Sequence, residues 1–192
     1  MNAMPPALQL REESAVALDG HASIPSVFTA HAICSVHAAP TGRTLRERPV
    51  PAFTKDDDAC EDPRRWPHDF DTRAWALPAA YDGAVRVGAA RVAVATPGVD
   101  MLEGRDDLAV LRDLRVAPAR RGRGLAMASV DAIQAWARRA GCSERKVETR
   151  NNNPAACRLD ARAGLRLVEA RPGAYPELPD EVQLIWRMRL AD

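Results

Sequence analysis

Lysine is almost missing from this sequence: Lys55 and Lys146 stand against a total of 27 Lys and Arg. With alanine abundant, that bias reads as codon usage rather than selection for guanidinium chemistry. An excess of either charge is also missing, since the formal net charge is +1. A near-neutral chain lacks the electrostatic footprint of a protein whose main partner is a nucleic acid. Uncharged apolar runs fall short of the roughly 18 residues that a membrane span needs. From Met1 to Arg11 no basic segment precedes an apolar run, so no secretory signal is expected. The cysteines Cys34, Cys60, Cys142 and Cys157 form no C-x-x-C pair and suggest no disulfide framework. Histidine is absent after His68, so Cys157 reads as a buried structural thiol rather than a nucleophile. The expectation is a cytoplasmic protein with no membrane and no nucleic-acid partner; a homodimer is compatible with it.

What is present is a core-forming composition, 46% apolar over 192 residues. Residues 1–10 read as a flexible terminus and 11–192 as one domain. Strands are expected from Ser26 to His37 and from Thr44 to Phe53, joined by a Pro-Thr-Gly turn. Glu61 to Phe70 holds a short helix signal near Asp62-Pro63. Trp75 to Tyr81 and Ala84 to Ala95 are β-rich, and the Asp82-Gly83 between them signals a hairpin. Leu108, Val110, Leu114 and Val116 share one face of a further strand. Met127, Val130, Ile133, Ala137 and Ala140 recur at helical spacing up to Gly141. A strand from Arg145 to Thr149 and a helix from Pro154 to Ala163 follow. Strands from Leu165 to Ala170 and from Glu181 to Arg189 close the chain. The pattern is α/β, with an antiparallel, hairpin-rich start and at least one β-α-β unit.

Between the strand ending at Val116 and the long helix lies Arg121-Gly-Arg-Gly-Leu-Ala126. A helix start leaves amides unpaired and carries partial positive charge, and glycine lets an anion approach the backbone. Together they make a diphosphate cradle, with Arg120, Arg121 and Arg123 adding charge at its rim. The Walker A loop needs Gly-Lys-Ser/Thr, which is absent here. The dinucleotide fingerprint needs a third glycine where Met127 stands. What remains is R-x-x-G-x-A, at Arg121, Gly124 and Ala126.

With its flanks, Leu111-Arg-Asp-Leu-Arg-Val-Ala-Pro118 before it and Lys146-Val-Glu-Thr-Arg-Asn-Asn-Asn-Pro-Ala-Ala-Cys-Arg158 after it, this loop resembles the acyl-CoA loop of the GNAT acetyltransferases. The stretch from Ala174 to Trp186 fits the same pattern. Within that superfamily it is most similar to streptothricin acetyltransferases. The resemblance implies a mixed, mostly antiparallel sheet with flanking helices and a V-shaped acyl-CoA cleft, and acetyl-CoA as cosubstrate with no metal. It also implies that backbone groups of Leu114, Arg115 and Val116 pair with the pantetheine arm. Amides of Gly122, Arg123, Gly124, Leu125 and Ala126 would hold the pyrophosphate beside Arg121, and Asn153 would reach the cofactor.

The implied reaction is attack of a small-molecule primary amine on the thioester, with both substrates bound. An amine of pKa near 10.4 is almost wholly protonated at neutral pH, so a base is useful. Asp113 and Glu148, on the strands flanking the cleft, are the candidates. Relatives supply the leaving thiolate with a proton from a Tyr; in this sequence Asp160 occupies that place. An ordinary Asp is ionised and repels a thiolate, and it donates only if burial raises its pKa. Two alternatives share these motifs: a CoA-binding protein with little or no turnover, and a peptide or protein N-acetyltransferase. Lys55-Asp-Asp-Asp58 reads as a solvated loop that would favour a cationic substrate if it bordered the cleft. His31, Cys34 and His37 have metal-like spacing, but Cys34 points away from the two histidines on a strand.

Overall fold

The computed structural model describes residues 8–13, 18–40, 42–59 and 61–190. Residues 1–7 of the expected flexible terminus, Thr41 of the expected turn, and Cys60 lie outside the described residues. The chain runs β1 (Gln9–Glu12), α1 (Leu18–Ala22), β2 (Phe28–Ala39), β3 (Gly42–Lys55), α2 (Trp66–Asp69), β4 (Pro78–Asp82) and β5 (Val85–Ala93). It continues β6 (Leu108–Val116), α3 (Leu125–Arg139), β7 (Glu144–Arg150), α4 (Pro154–Arg162), β8 (Arg166–Pro172) and β9 (Val182–Arg189). Seven strands form one sheet in the order β1-β4-β5-β6-β7-β9-β8, antiparallel except for the parallel pair β6–β7. Strands β2 and β3 form a separate two-stranded arm. This is the mixed, mostly antiparallel sheet that the sequence led us to expect.

Four expectations change in detail. Gln9 and Leu10, expected in a loose terminus, pair with Tyr81 and Ala80 in β1. The helix expected from Glu61 to Phe70 is a 3-10 turn at Pro63–Arg65, capped by Asp62, followed by α2. Ala76 makes a single bridge to Val92, and β4 starts only at Pro78, because a 3-10 turn occupies Thr72–Ala74. The buried face of α3 is Leu125, Ser129, Val130, Ile133 and Ala137. Ala140 is exposed and Met127 is half-buried, since the face drifts along a 3.6-residue helix.

The split in the sheet positions the site. Strands β6 and β7 pair from Leu108↔Glu144 to Leu111↔Val147 and no further. Beyond that point β6 stays bonded to β5 as far as Val116, and β7 stays bonded to β9 as far as Arg150. The two strands diverge into a V, and the inner backbone edge of β6 past Leu111 is left without a strand partner. The register shifts between Arg91↔Asp113 and Val92↔Leu111, so Arg112 is an extra residue, a bulge at the fork.

Helix α3 starts where the V opens. Gly124, its N-cap, has φ +82°, and Gly141 at φ +81° ends it. Leu125, in the first turn, seats the helix on the sheet over Gly88. A Cβ at Gly88 would lie 3.2 Å from Ala80 Cβ, 3.3 Å from Arg115 O and 3.4 Å from Leu125 Cδ2. Replacing Gly88 with Val is expected to destabilise the fold by about 1–3 kcal/mol. Urea denaturation measures it, and a loss under 0.5 kcal/mol would show that the contact is slack. Across the cleft, Asn153 caps α4, its Oδ1 accepting from Ala156 N at 3.1 Å, with Pro154 in the first turn. Asn151 joins the arm to the sheet: Cys34 N donates to its carbonyl at 2.7 Å, and Val182 N donates to its Oδ1 at 2.8 Å. Among the described residues no helix is long and apolar enough to cross a membrane.

Candidate functional site

Two cavities meet in the V. One, of about 450 Å³, lies along β6 from Leu114 to Val116, over the glycine loop and against α4. Neither Gly122 (φ +74°) nor Gly124 has any atom within 4 Å of where a Cβ would stand, so the loop backbone faces open space. That backbone, the first turn of α3 and the unpaired edge of β6 suit a ligand carrying both a diphosphate and an amide-rich arm.

The rim charges differ from expectation. Arg121 Nη1 donates to Val27 O at 2.7 Å, its Nη2 to Pro25 O at 3.2 Å and its Nε to Val116 O at 3.0 Å. Its guanidinium therefore ties the loop to the segment before β2 and is not free to meet a phosphate. Arg120 pairs with Asp82. Of the three arginines expected at the rim, Arg120 and Arg121 line the cavity but are engaged in these contacts, and Arg123 is not among its lining residues. Asn153 lines both cavities, but its Oδ1 is used by the cap, which leaves Nδ2 for a ligand.

The second cavity, of about 270 Å³, lies at the fork and is lined by Asp113 from β6, Glu148 from β7 and Asp160 from α4. Asp160 is 3% exposed, and its Oδ2 has no hydrogen-bond partner among the described residues. Burial pushes its pKa up to about 7, against the pull of Arg145. The ordinary ionised Asp considered from the sequence is thus not what the fold provides. Glu148 is held from both sides: the Tyr175 hydroxyl donates to Oε1, and Gln183 Nε2 donates to Oε2 at 2.7 Å. Asp113 Oδ2 accepts from Arg115 Nε at 2.6 Å and lies 2.9 Å from His21 Nε2. Burial raises the pKa of Asp113, but His21 and Arg115 outweigh it and hold the carboxyl below the usual range.

The Lys55–Asp58 run is not a free solvated loop. Lys55 pairs with Glu181 ahead of β9, and Asp57 Oδ1 lies 3.4 Å from Arg150 Nη1 on β7. Asp58 Oδ1 lies 2.7 Å from Arg115 Nη2 on β6, and Glu61 pairs with Arg112 at the bulge. This acidic strap crosses the mouth of the V, pinned to both of its arms. Trp66, held by Glu61 through its Nε1, walls the cavity behind it. In the arm, His31 and His37 are exposed and Cys34 is buried on the opposite face, so the three do not converge.

Residues 43–165, nearly two thirds of the chain, match the model of the acetyltransferase (GNAT) family. The chain belongs to the GNAT acetyltransferases. The fold is also that of solved members. A nourseothricin acetyltransferase is 24% identical with a TM-score of 0.71, covering 96% of this chain and 99% of its own. A protein assigned as a streptothricin acetyltransferase from Bacillus anthracis str. Ames, in complex with acetyl coenzyme A, is 18% identical with a TM-score of 0.77, covering 95% and 99%. The ribosomal-protein-S18-alanine N-acetyltransferase of Escherichia coli is 16% identical with a TM-score of 0.61, covering 97% and 96%. No curated protein sequence matches significantly.

In this GNAT acetyltransferase the residues that hold the cleft carboxylates from behind could not be found from the sequence. His21 and Tyr175 both fall outside the family-matched span, yet each holds a cleft carboxylate. Nothing local marks His21, which is 92 residues away from Asp113. Asp57 and Asp58 carried a signal, an acidic run, but its partners Arg115 and Arg150 are visible only in three dimensions.

Proposed function

We propose that this enzyme transfers an acetyl group from acetyl-CoA to a primary amine of a small cationic molecule, with both substrates bound at once. One observation carries this reading: the acceptor end of the V is lined by carboxylates and crossed by the strap of residues 55–59 and Glu61. A strapped acidic cavity suits a compact cation better than a peptide running through an open groove. The relatives named for streptothricin and nourseothricin support the same class of acceptor.

Bound acetyl-CoA supplies an activated acetyl thioester. The backbone of Leu114 to Val116, which has no strand partner on its inner edge, holds its pantetheine arm as an added strand holds a neighbour. Amides from Gly122 to Ala126 at the start of α3 hold its pyrophosphate, and Asn153 Nδ2 faces the cofactor from across the cleft. An inner-edge amide of β6 polarises the carbonyl that is attacked. Glu148, steadied by Tyr175 and Gln183, takes the amine proton. Asp113, held below the usual range, is a poor proton acceptor and a good anion, so it anchors the cationic end of the acceptor. Asp160 at about 7 is protonated in roughly half the molecules at neutral pH, and in that form it gives a proton to the departing sulfur. A protonated Asp160 supports turnover over the binding-module alternative. Buried reduced cysteines and dependence on acetyl-CoA fit a cytoplasmic enzyme.

A CoA-release screen with polyamines, aminoglycosides, streptothricin and N-terminal peptides tests the reading. Release with one or more of the cationic small molecules, and none with the peptides, is expected. Tight acetyl-CoA binding by calorimetry with no release from any acceptor would favour the CoA-binding alternative, and release with peptides alone would overturn the acceptor class.

A further inference from the structure

His21 belongs to no wall of the cleft, yet it is fully buried against one that does the binding. Its Nδ1 is enclosed and has no partner among the described residues. An enclosed nitrogen with no acceptor nearby does not keep a proton, so the neutral ring carries its proton on Nε2 and donates it to Asp113 Oδ2. The ring is neutral for a physical reason. Burial holds its pKa below the ordinary value, and Arg91 on β5 and Arg115 on β6 oppose a further cation, which outweighs the pull of Asp113. Asp57 and Asp58 of the strap add negative charge on the Asp113 side, and the Arg86 guanidinium packs against Gly20, next to His21. Trp66 on α2 stands 6.1 Å from the ring, centroid to centroid.

Both hydrogen bonds to Asp113 land on one oxygen. Arg115 Nε and His21 Nε2 take Oδ2, whereas Oδ1 accepts no bond from the described residues and is not enclosed. Two donors from different directions stop the carboxylate from rotating. We propose that His21 is a positioning residue for acceptor binding, fixing Asp113 so that Oδ1 faces the cleft as the ligand for the acceptor's ammonium group. The proposal rests on the acceptor reading given above. Its chemistry differs from that of a His base: the imidazole touches no substrate and gains or loses no proton.

The test compares wild type with His21→Gln, whose amide reaches Asp113, and with His21→Asn and His21→Phe, which do not provide that donor. Spermidine is the probe, titrated calorimetrically into CoA-saturated protein, and the Asp113 carboxyl is followed by 13C NMR against pH. In the Asn and Phe variants the affinity for spermidine is expected to fall at least about tenfold and the Asp113 pKa to rise by about one unit or more. Acetyl-CoA affinity stays within about twofold, and His21→Gln restores both readouts, which a merely structural role would not do. If His21→Phe fails to fold, His21→Asn against His21→Gln decides. Equal behaviour of all three variants, or an unmoved Asp113 pKa, overturns the proposal. Failure of the wild type to bind spermidine, with the Asp113 pKa still displaced in His21→Asn, overturns the cationic-acceptor reading and supports the positioning contact.

Discussion

At pH 8 the Asp160→Asn variant is expected to be more stable than the wild type by about 2–4 kcal/mol, and at pH 4 by almost nothing. The reason is the buried carboxyl. Its pKa rises from 3.8 to about 7 in the folded protein. Between those two values the folded chain keeps a proton that the unfolded chain has lost. Stability therefore falls as pH rises from about 4 to about 7, by up to about 1.4 kcal/mol per unit, and then levels off. Asn has the same shape and no proton to lose, so its curve lacks that fall. The upper figure is a ceiling, because water drawn in on ionisation relieves part of the cost. Urea denaturation at pH 4, 6 and 8 measures the difference, and parallel curves for the two proteins would exclude a raised Asp160 pKa. The same change removes the proton donor proposed for the leaving sulfur, so turnover is expected to drop by about 100-fold. A variant both more stable and less active would mark Asp160 as a site where stability is given up for chemistry.

Gly124→Val is expected to weaken acetyl-CoA binding by at least about 100-fold, or about 3 kcal/mol. Gly124 sits at φ +82° as the N-cap of α3, and its position faces open space rather than protein. A valine there fills the approach to the helix amides and strains the backbone at once. Strain alone costs about 1–2 kcal/mol of stability. Gly104 separates the two effects, because it has φ +70°, meets nothing within 4 Å and lies outside both cavities of the V. Gly104→Val is expected to lose similar stability while keeping its affinity for acetyl-CoA in calorimetry. Equal loss of affinity in both variants would show that the glycine loop does not hold the diphosphate.

Much of the frame was legible from neighbouring residues. The strand from Leu108 to Val116 has the bounds its alternation implied, and Gly83, Gly141 and Gly164 adopt the positive φ that their turn and helix-end positions called for. Asn153 and Pro154 open α4 as their chemistry requires. Asp113, Glu148 and Asp160 meet in one cavity because each sits on an element flanking the fork. What escaped was the pairing of charges. Arg121 looked like a phosphate ligand beside its glycines and instead holds carbonyls of Pro25 and Val27. The run Lys55–Asp58 looked solvated and instead crosses the cleft, with Lys55, Asp57 and Asp58 each in an ion pair.

By itself, then, the amino-acid sequence determined the order of strands and helices and the glycine loop at the head of α3. Side-chain alternation, capping and positive φ act within a few residues, so the chain carries that information locally. Tertiary structure alone decided which carboxyl is pushed up by burial and which is held down by its partners. Those roles depend on burial and on charges brought from distant positions: Arg145 beside Asp160, His21 and Arg115 on Asp113, and Tyr175 on Glu148. An Asp has one pKa in a peptide, and only the packing around it sets the value it has in the fold.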